Sequence, residues 1–191
     1  NDEYTHWVDA QLKVIYQQNR LTSKETGFLF NTEFVPAENL GVKNAKWDSK
    51  DGYVVPRDCY NSYFYRVEDE AINHLDKFIL HGKALTQYLD GGSALHLNLE
   101  EHLSEQHYLH LFNVAAKTGC NYFCINVKTT ICNDCEHIEK RTLNCCTRCS
   151  SSNVDHATRV IGYLKRVSAF SKGRREEHAD RHYHRKARAI A

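Results

Sequence analysis

Two cysteine pairs, Cys132-x2-Cys135 and Cys146-x2-Cys149, are spaced for metal chemistry, with ten residues (Glu136 to Cys145) between them. Each pair offers two thiolates from one tight turn, the layout of a zinc ribbon with two knuckles. Together they satisfy tetrahedral Zn2+ at about 2.3 Å per Zn–S bond, and a closed four-cysteine site predicts a structural metal and not a Lewis acid. An iron–sulfur cluster or a redox disulfide is the competing use of such cysteines. Cys145 can replace Cys146 only at the cost of a three-residue gap, so the spacing favours Cys146. His137, two residues past Cys135, reads as a solvated residue or as one hydrogen-bonded behind the ligands.

After a Ser-rich spacer, Ser150 to Asn153, the string RVIGY sets Gly162 among apolar and aromatic residues. One reading is conformational: glycine supplies a positive φ or allows close backbone approach. The other is chemical. Only at glycine can an unpaired electron on Cα lie in the plane of both flanking amides with no side chain in the way.

The elements that must position these residues follow from periodicity. Tyr4, Trp7, Val8, Leu12, Ile15 and Tyr16 predict an amphipathic helix over residues 2–19, its apolar stripe belonging to the core. Gly27 to Val35 reads as a strand stopped by Pro36, and the PAENLG that follows as a turn or a helix start. Lys43 to Arg57, polar and carrying Asp51-Gly52, reads as a loop. Tyr60 to Val67 reads as a strand and Glu68 to Leu80 as a short helix. Asp90-Gly91-Gly92-Ser93 breaks the chain before a strand at Ala94 to Leu97. Asn98 is the expected N-cap of a helix stopped by Gly119. The strand Cys120 to Val127 completes a strand–helix–strand unit, whose two strands should be parallel neighbours. On that last strand Cys120, Tyr122, Cys124 and Asn126 share a face; Cys120 and Cys124, about 13 Å apart, cannot share a metal. Lys172 to Arg188 reads as a helix with a solvated, charged face.

Composition narrows the class. The chain has 191 residues, 41% hydrophobic and 26% charged, enough for one ordinary core or a core plus a small module. Its net charge of +1 gives no global push toward nucleic acid or membrane. From Arg159 onward, however, ten basic residues face three acidic ones. No run approaches the roughly 18 apolar residues of a membrane span, and the first residues lack a signal pattern, so the expectation is a cytoplasmic protein. Five of the eight cysteines crowd between Cys132 and Cys149, which favours metal over disulfides in that setting. There is no methionine, position 1 included, as expected of a piece of something longer.

The order CNDC, CTRC, RVIGYL and FSKGRREE resembles the C-terminal end of the anaerobic (class III) ribonucleoside-triphosphate reductases, a glycyl radical enzyme family. The likeness runs back through NTEFVPAENLG, RDCYNSYFY and GGSALHLNLEEHL, so it covers nearly the whole chain. The resemblance implies an α/β fold: the C-terminal part of a ten-stranded α/β barrel over residues 1–128, a four-cysteine zinc module over 129–152, and a radical loop with a C-terminal helix over 153–191. It implies that Gly162 carries the stable radical, installed by an activase that uses S-adenosylmethionine and a 4Fe-4S cluster, and that the zinc knuckles support the loop. The turn Pro36, Ala37, Glu38 and Asn39 is similar to the family's substrate-phosphate loop, where a helix start offers free N–H groups to an anion. The substrate is then a ribonucleoside triphosphate, the product its deoxy form, and the whole enzyme a homodimer.

Two departures qualify the likeness. The thiyl cysteine, the cysteine near the substrate and the N-terminal regulatory domain lie outside this pattern, so the chain is expected to need an N-terminal reductase part. The second knuckle, CCTRCS, lacks the Pro and Gly usual in relatives, which leaves its turn geometry open. The alternatives are a stand-alone glycyl-radical subunit complementing a split reductase, and a zinc-ribbon nucleic-acid module using the basic tail; the latter leaves RVIGY without a role, so no nucleic acid is expected.

Overall fold

The structure, a computed structural model, describes residues 2–36, 39–55, 57–160 and 163–184. The helices are α1 (Asp2–Thr26), α2 (Asn39–Lys50), α3 (His74–Leu80), α4 (Lys83–Thr86), α5 (Glu105–Thr118) and α6 (Lys172–Asp180). The strands are β1 (Glu33–Phe34), β2 (Gly92–Ser93), β3 (Leu95–Leu99), β4 (Phe123–Val127), β5 (Thr129–Cys132), β6 (Ile138–Glu139), β7 (Val154–Val160) and β8 (Tyr163–Arg166). No described helix is long and apolar enough to cross a membrane. The chain divides into two compact units, one of residues up to Val35 with Ile72–His96 and Ser104–Cys124, the other of Pro36–Ala71, Leu97–Leu103 and the chain from Ile125 on.

In the first unit α1 buries Val8 and Leu12, but Tyr4, Trp7 and Ile15 of the expected stripe are exposed, so only part of it belongs to the core. It runs seven residues past the expected end, because the stop is Gly27: at φ 76° its N–H bonds the Ser23 carbonyl at 2.9 Å. Of the strand expected over 27–35, only Glu33–Phe34 pairs, in parallel with Gly92–Ser93; Leu29 stands in solvent. The break at Asp90–Ser93 is present, with Gly92 at φ 117° and the Asp90 carboxylate accepting from the Thr32 N–H at 2.8 Å. The helix expected over 68–80 begins only at His74, where Asn73 and Asp76 form a reciprocal capping box. The N-cap of α5 is Ser104 and not Asn98, which lies inside β3. Gly119 does end α5, at φ 79°. β3 and β4 are neighbours, as the strand–helix–strand reading requires. Buried Phe78 of α3 and exposed Phe112 of α5 meet half-buried Phe123 edge-on at 5.1 and 5.4 Å.

The second unit departs further from expectation. Residues 43–50, expected as loop, belong to α2. Its small residues Gly41 and Ala45, one turn apart, are buried, and a Cβ on Gly41 would meet the Tyr60 carbonyl at 3.0 Å; close packing overrides the polar composition. Tyr60 to Val67 forms no strand. Its alternating burial is real, since Tyr63, Tyr65 and Val67 are inside. Its partners, however, are α6 and the segment after it: Arg174 bonds Ser62, and the Val67 carbonyl accepts from His182 N–H at 2.8 Å. The sheet that carries the cysteines is antiparallel, in the order β6-β5-β7-β8.

Candidate functional site

Cys132 is the last residue of β5, which delivers it beside Val154 at the start of β7. The chain then turns through Cys135, forms the short β6, and returns through Cys146 and Cys149. The four sulfurs lie within 4.8 Å of one another, with Cys132–Cys149 at 3.5 Å and Cys135–Cys146 at 3.6 Å. The edge of a tetrahedron with 2.3 Å bonds is about 3.8 Å, so the cluster fits a zinc-sized ion with little adjustment. Cys145 is exposed and is not in the cluster.

Backbone groups prepare the cluster for anionic sulfur. The Arg148 N–H donates to Cys146 Sγ at 3.3 Å. Burial alone raises the Cys146 thiol, but the N–H groups of Cys149 and Arg148 and the neighbouring thiols bring it down to about 6. The Ser151 N–H favours the Cys149 thiolate, yet the sulfurs of Cys135 and Cys132 outweigh it and push that thiol up to about 12. Four sulfurs this close repel one another when ionised, and a cation among them would let all four be thiolates.

The turn geometry left open by CCTRCS is resolved by a repeated device. The residue after each second cysteine, Glu136 and Ser150, takes a left-handed conformation, at φ 59° and 60°. Ser150 N–H then bonds the Cys146 carbonyl at 2.9 Å. The left-handed conformation costs a non-glycine residue about 1–2 kcal/mol. Ser150→Gly should therefore raise stability by about 1 kcal/mol, read as an upward shift in thermal midpoint with metal content unchanged; an unchanged or lowered midpoint would count against strain at this residue.

The two knuckles are tied to each other and to the strands beyond them. Asp134 accepts from the Ser151 hydroxyl and from Asn153 Nδ2 at 2.6 Å, bonds that hold its carboxyl below the ordinary value. Asn133 N–H reaches the Asn153 carbonyl at 2.9 Å, and Arg166 of β8 reaches Asn133 Oδ1 at 2.6 Å. Thr130 of β5 holds the approach to the second knuckle, donating to the Arg141 carbonyl at 2.6 Å and accepting from Leu143 N–H at 2.9 Å. β7 and β8 pair with Val160 opposite Tyr163. The two residues that join them in sequence, Ile161 and Gly162, lie outside the described residues.

Of the other predicted site, Pro36 is buried and Asn39 is the first residue of α2, while Ala37 and Glu38 lie outside the described residues. The terminal helix does present a solvated, charged face, with Lys172, Arg175, Glu176 and Asp180 exposed; its other face is inside, where Arg174, Glu177 and His178 are buried and Glu177 pairs with Arg174 and, at 3.6 Å, with Arg181. That helix ends at Asp180, and Arg185, Lys186 and Arg188 lie outside the described residues. Asn98, expected as a helix cap, and Asn126, expected on a strand face with Cys120 and Cys124, are both buried and bonded side chain to side chain, a pairing the sequence does not show. The only sequence signal was Asn126 itself, a polar residue inside an otherwise apolar strand.

Over residues 1–184 the chain matches the family model described as anaerobic ribonucleoside-triphosphate reductase. Among solved structures it is similar to an anaerobic ribonucleotide reductase at 31% identity and a TM-score of 0.81, the match covering 95% of this chain and 29% of that one. It is similar also to the anaerobic ribonucleotide reductase from Thermotoga maritima in complex with dATP and CTP, at 32% identity and a TM-score of 0.75, covering 91% of this chain and 28% of that one. The same reductase with MES in the active site matches at 31% identity and a TM-score of 0.72, covering 86% and 27%. The chain spans less than a third of the length of these structures. No curated protein matches it.

Proposed function

Because the chain belongs to the anaerobic ribonucleoside-triphosphate reductase family, we propose that it is the C-terminal, radical-bearing portion of such an enzyme, with Gly162 as the radical residue. The observation that carries this reading is the connection between the four-cysteine cluster and the paired strands that flank residue 162 in sequence. A thiolate-bound zinc ion would supply no reactive position there; it would supply folding energy to a segment with little apolar core. Cys132, Cys135, Cys146 and Cys149 would hold it, and the ties from Asn133 and Asp134 would carry that rigidity to β7 and β8.

In this reading the Cα radical of Gly162 takes the hydrogen atom of a cysteine thiol in the N-terminal part of the reductase, leaving glycine and a thiyl radical. The thiyl abstracts the 3′ hydrogen of the ribose. The 2′ hydroxyl leaves as water, two electrons come from formate or a thioredoxin-like reductant, and the hydrogens return so that the glycyl radical is restored. The substrate class is a ribonucleoside triphosphate, a proposal supported by the relative solved with CTP. The start of α2, with Pro36, Ala37, Glu38 and Asn39, would take its phosphates on free backbone N–H groups. β3 and β4, the central neighbours of the strand–helix–strand unit, would belong to a ten-stranded barrel completed by the N-terminal part. Residues 1–128, 129–152 and 153–191 would then serve as barrel, metal module and radical loop with helix. The partners are that N-terminal part, a second copy of the full enzyme, and a radical activase using S-adenosylmethionine and a 4Fe-4S cluster, all in the cytoplasm.

The test is anaerobic incubation of the chain with the activase and S-adenosylmethionine, with and without the N-terminal part, followed by electron paramagnetic resonance. A doublet is expected that Gly162→Ala abolishes, and air should then cut the radical-bearing chain next to residue 162, giving a shortened mass. A doublet that survives Gly162→Ala, or none in any combination, overturns the assignment.

A further inference from the structure

The ladder between β5 and β7 ends at Ala157, opposite Thr129. Beyond that point β7 pairs with β8 alone among the described residues. The N–H of Arg159 finds a side chain instead of a strand: Asn126 Oδ1 accepts from it at 2.9 Å and from the Thr158 hydroxyl at 2.8 Å. A backbone N–H can only donate, so this bond fixes which end of the amide faces β7. Asn126 Nδ2 is left to donate to Asn98 Oδ1, at 2.8 Å. Asn126 and Thr158 are 0% exposed and Asn98 is 1% exposed, so solvent cannot take over these bonds. The Tyr183 hydroxyl lies 3.3 Å from Thr158 Oγ1 and 3.4 Å from His178 Nε2. Because Thr158 gives its only proton to Asn126, Tyr183 donates to Thr158 and His178 to Tyr183. Burial, with Arg181, Lys128 and Arg174 nearby, pushes His178 down to about 3, so the ring that donates is neutral.

The Asn126 amide thus does for Arg159 what a strand carbonyl would do in a continued ladder, three residues before Gly162. From this geometry we infer that Asn126 is a positioning residue: its side chain sets where the end of β7, the strand that precedes Gly162 in sequence, stands relative to β3 and β4. The inference rests on the reading of Gly162 as the radical site. Asn126 acts through β7, touches no reacting atom, and its loss should separate making the radical from using it. Installing the radical needs only that the activase reach Gly162. Passing it to a thiol needs the glycine within about an ångström of the right place, an error that costs on the order of 10²-fold in rate.

The experiment uses the reductase containing this segment, with Asn126→Ala and, as a milder variant, Thr158→Val, which keeps the Arg159 bond. Amide hydrogen exchange, read without any radical, should speed up about tenfold or more at Arg159 in Asn126→Ala and little in Thr158→Val. After activation, Asn126→Ala should give a glycyl doublet of wild-type intensity with turnover lowered by about 10²-fold, and Asn126→Asp should recover part of it, because a carboxyl still accepts from Arg159. Unchanged exchange at Arg159, or normal turnover per radical in Asn126→Ala, overturns the inference. A wild-type enzyme without a Gly162 doublet overturns the radical reading instead, and the exchange result then stands by itself as a measure of the Asn126–Arg159 bond.

Discussion

On the proposed reading, removing the metal from the four-cysteine site, by chelation or by Cys146→Ser, is expected to unfold the β5–β8 sheet and to abolish radical formation on residue 162. Between Cys132 and Asn153 the only buried residues are Cys132 and Cys146, so this stretch has no apolar core to fall back on. Structural zinc contributes an apparent binding free energy of about 10–16 kcal/mol in small four-ligand sites, and that binding energy is folding energy. Without it the sulfurs at 3.5 and 3.6 Å become crowded thiols, one already pushed up to about 12 by its neighbours. The check is amide exchange across residues 129–166 together with the doublet in holo, metal-stripped and zinc-restored protein. Restoration by zinc is the expected result. A full doublet in metal-free protein would remove the metal from the reading altogether. Cys145→Ser, at an exposed cysteine outside the cluster, should leave metal content and doublet as they were.

Glu177→Ala is expected to cost about 3–5 kcal/mol of stability, a large share of what a domain has. Glu177 is 0% exposed and sits between the guanidiniums of Arg174 and Arg181, whose side chains are 5% and 1% exposed. Arg174 also donates to Ser62, and Arg181 lies over the Tyr63 ring at 5.5 Å, itself stacked on Tyr65 at 5.3 Å. Arg174 Nε and Arg181 Nε and Nη2 have no hydrogen-bond partner among the described residues, so the carboxylate is the main compensation for two buried cations. Deleting it leaves both uncompensated. Replacing all three together, as Arg174→Met, Glu177→Leu and Arg181→Met, should be nearly neutral or stabilising, because the desolvation cost disappears with the charges. Thermal or urea unfolding of the single and triple variants decides the matter. A single variant as stable as wild type would mean that the group is solvated.

What could be read from the sequence is what is decided locally. The cysteine spacing works because two ligands from one turn are a short-range constraint, and Gly119 and the Asp90–Ser93 break work because a positive φ is a property of the residue. Asn98 failed as a helix cap for the opposite reason: its amide is taken by Asn126, 28 positions away. Tyr60 to Val67 has the alternation of a strand, but alternation reports which side is buried and not what buries it, and here a helix does. Of the charge run at 172–181, Lys172, Arg175, Glu176 and Asp180 are solvated as their types suggest, whereas Arg174, Glu177 and Arg181 are inside because they meet one another. α2 was missed because close packing of glycine and alanine leaves almost no trace in hydrophobicity.

The run of β7 from Val154, opposite the proposed zinc ligand Cys132, to Val160 has a mechanical consequence. Six steps of about 3.3 Å make it a rod of about 20 Å pivoted at the metal end. A tilt of about 3° at the pivot moves the far end by about 1 Å, the scale of error at which transfer rates fall by about 10²-fold. An ion with no part in the chemistry would therefore govern its rate through an angle, and substituting a metal with a slightly different bond length should alter turnover without altering how much radical is made.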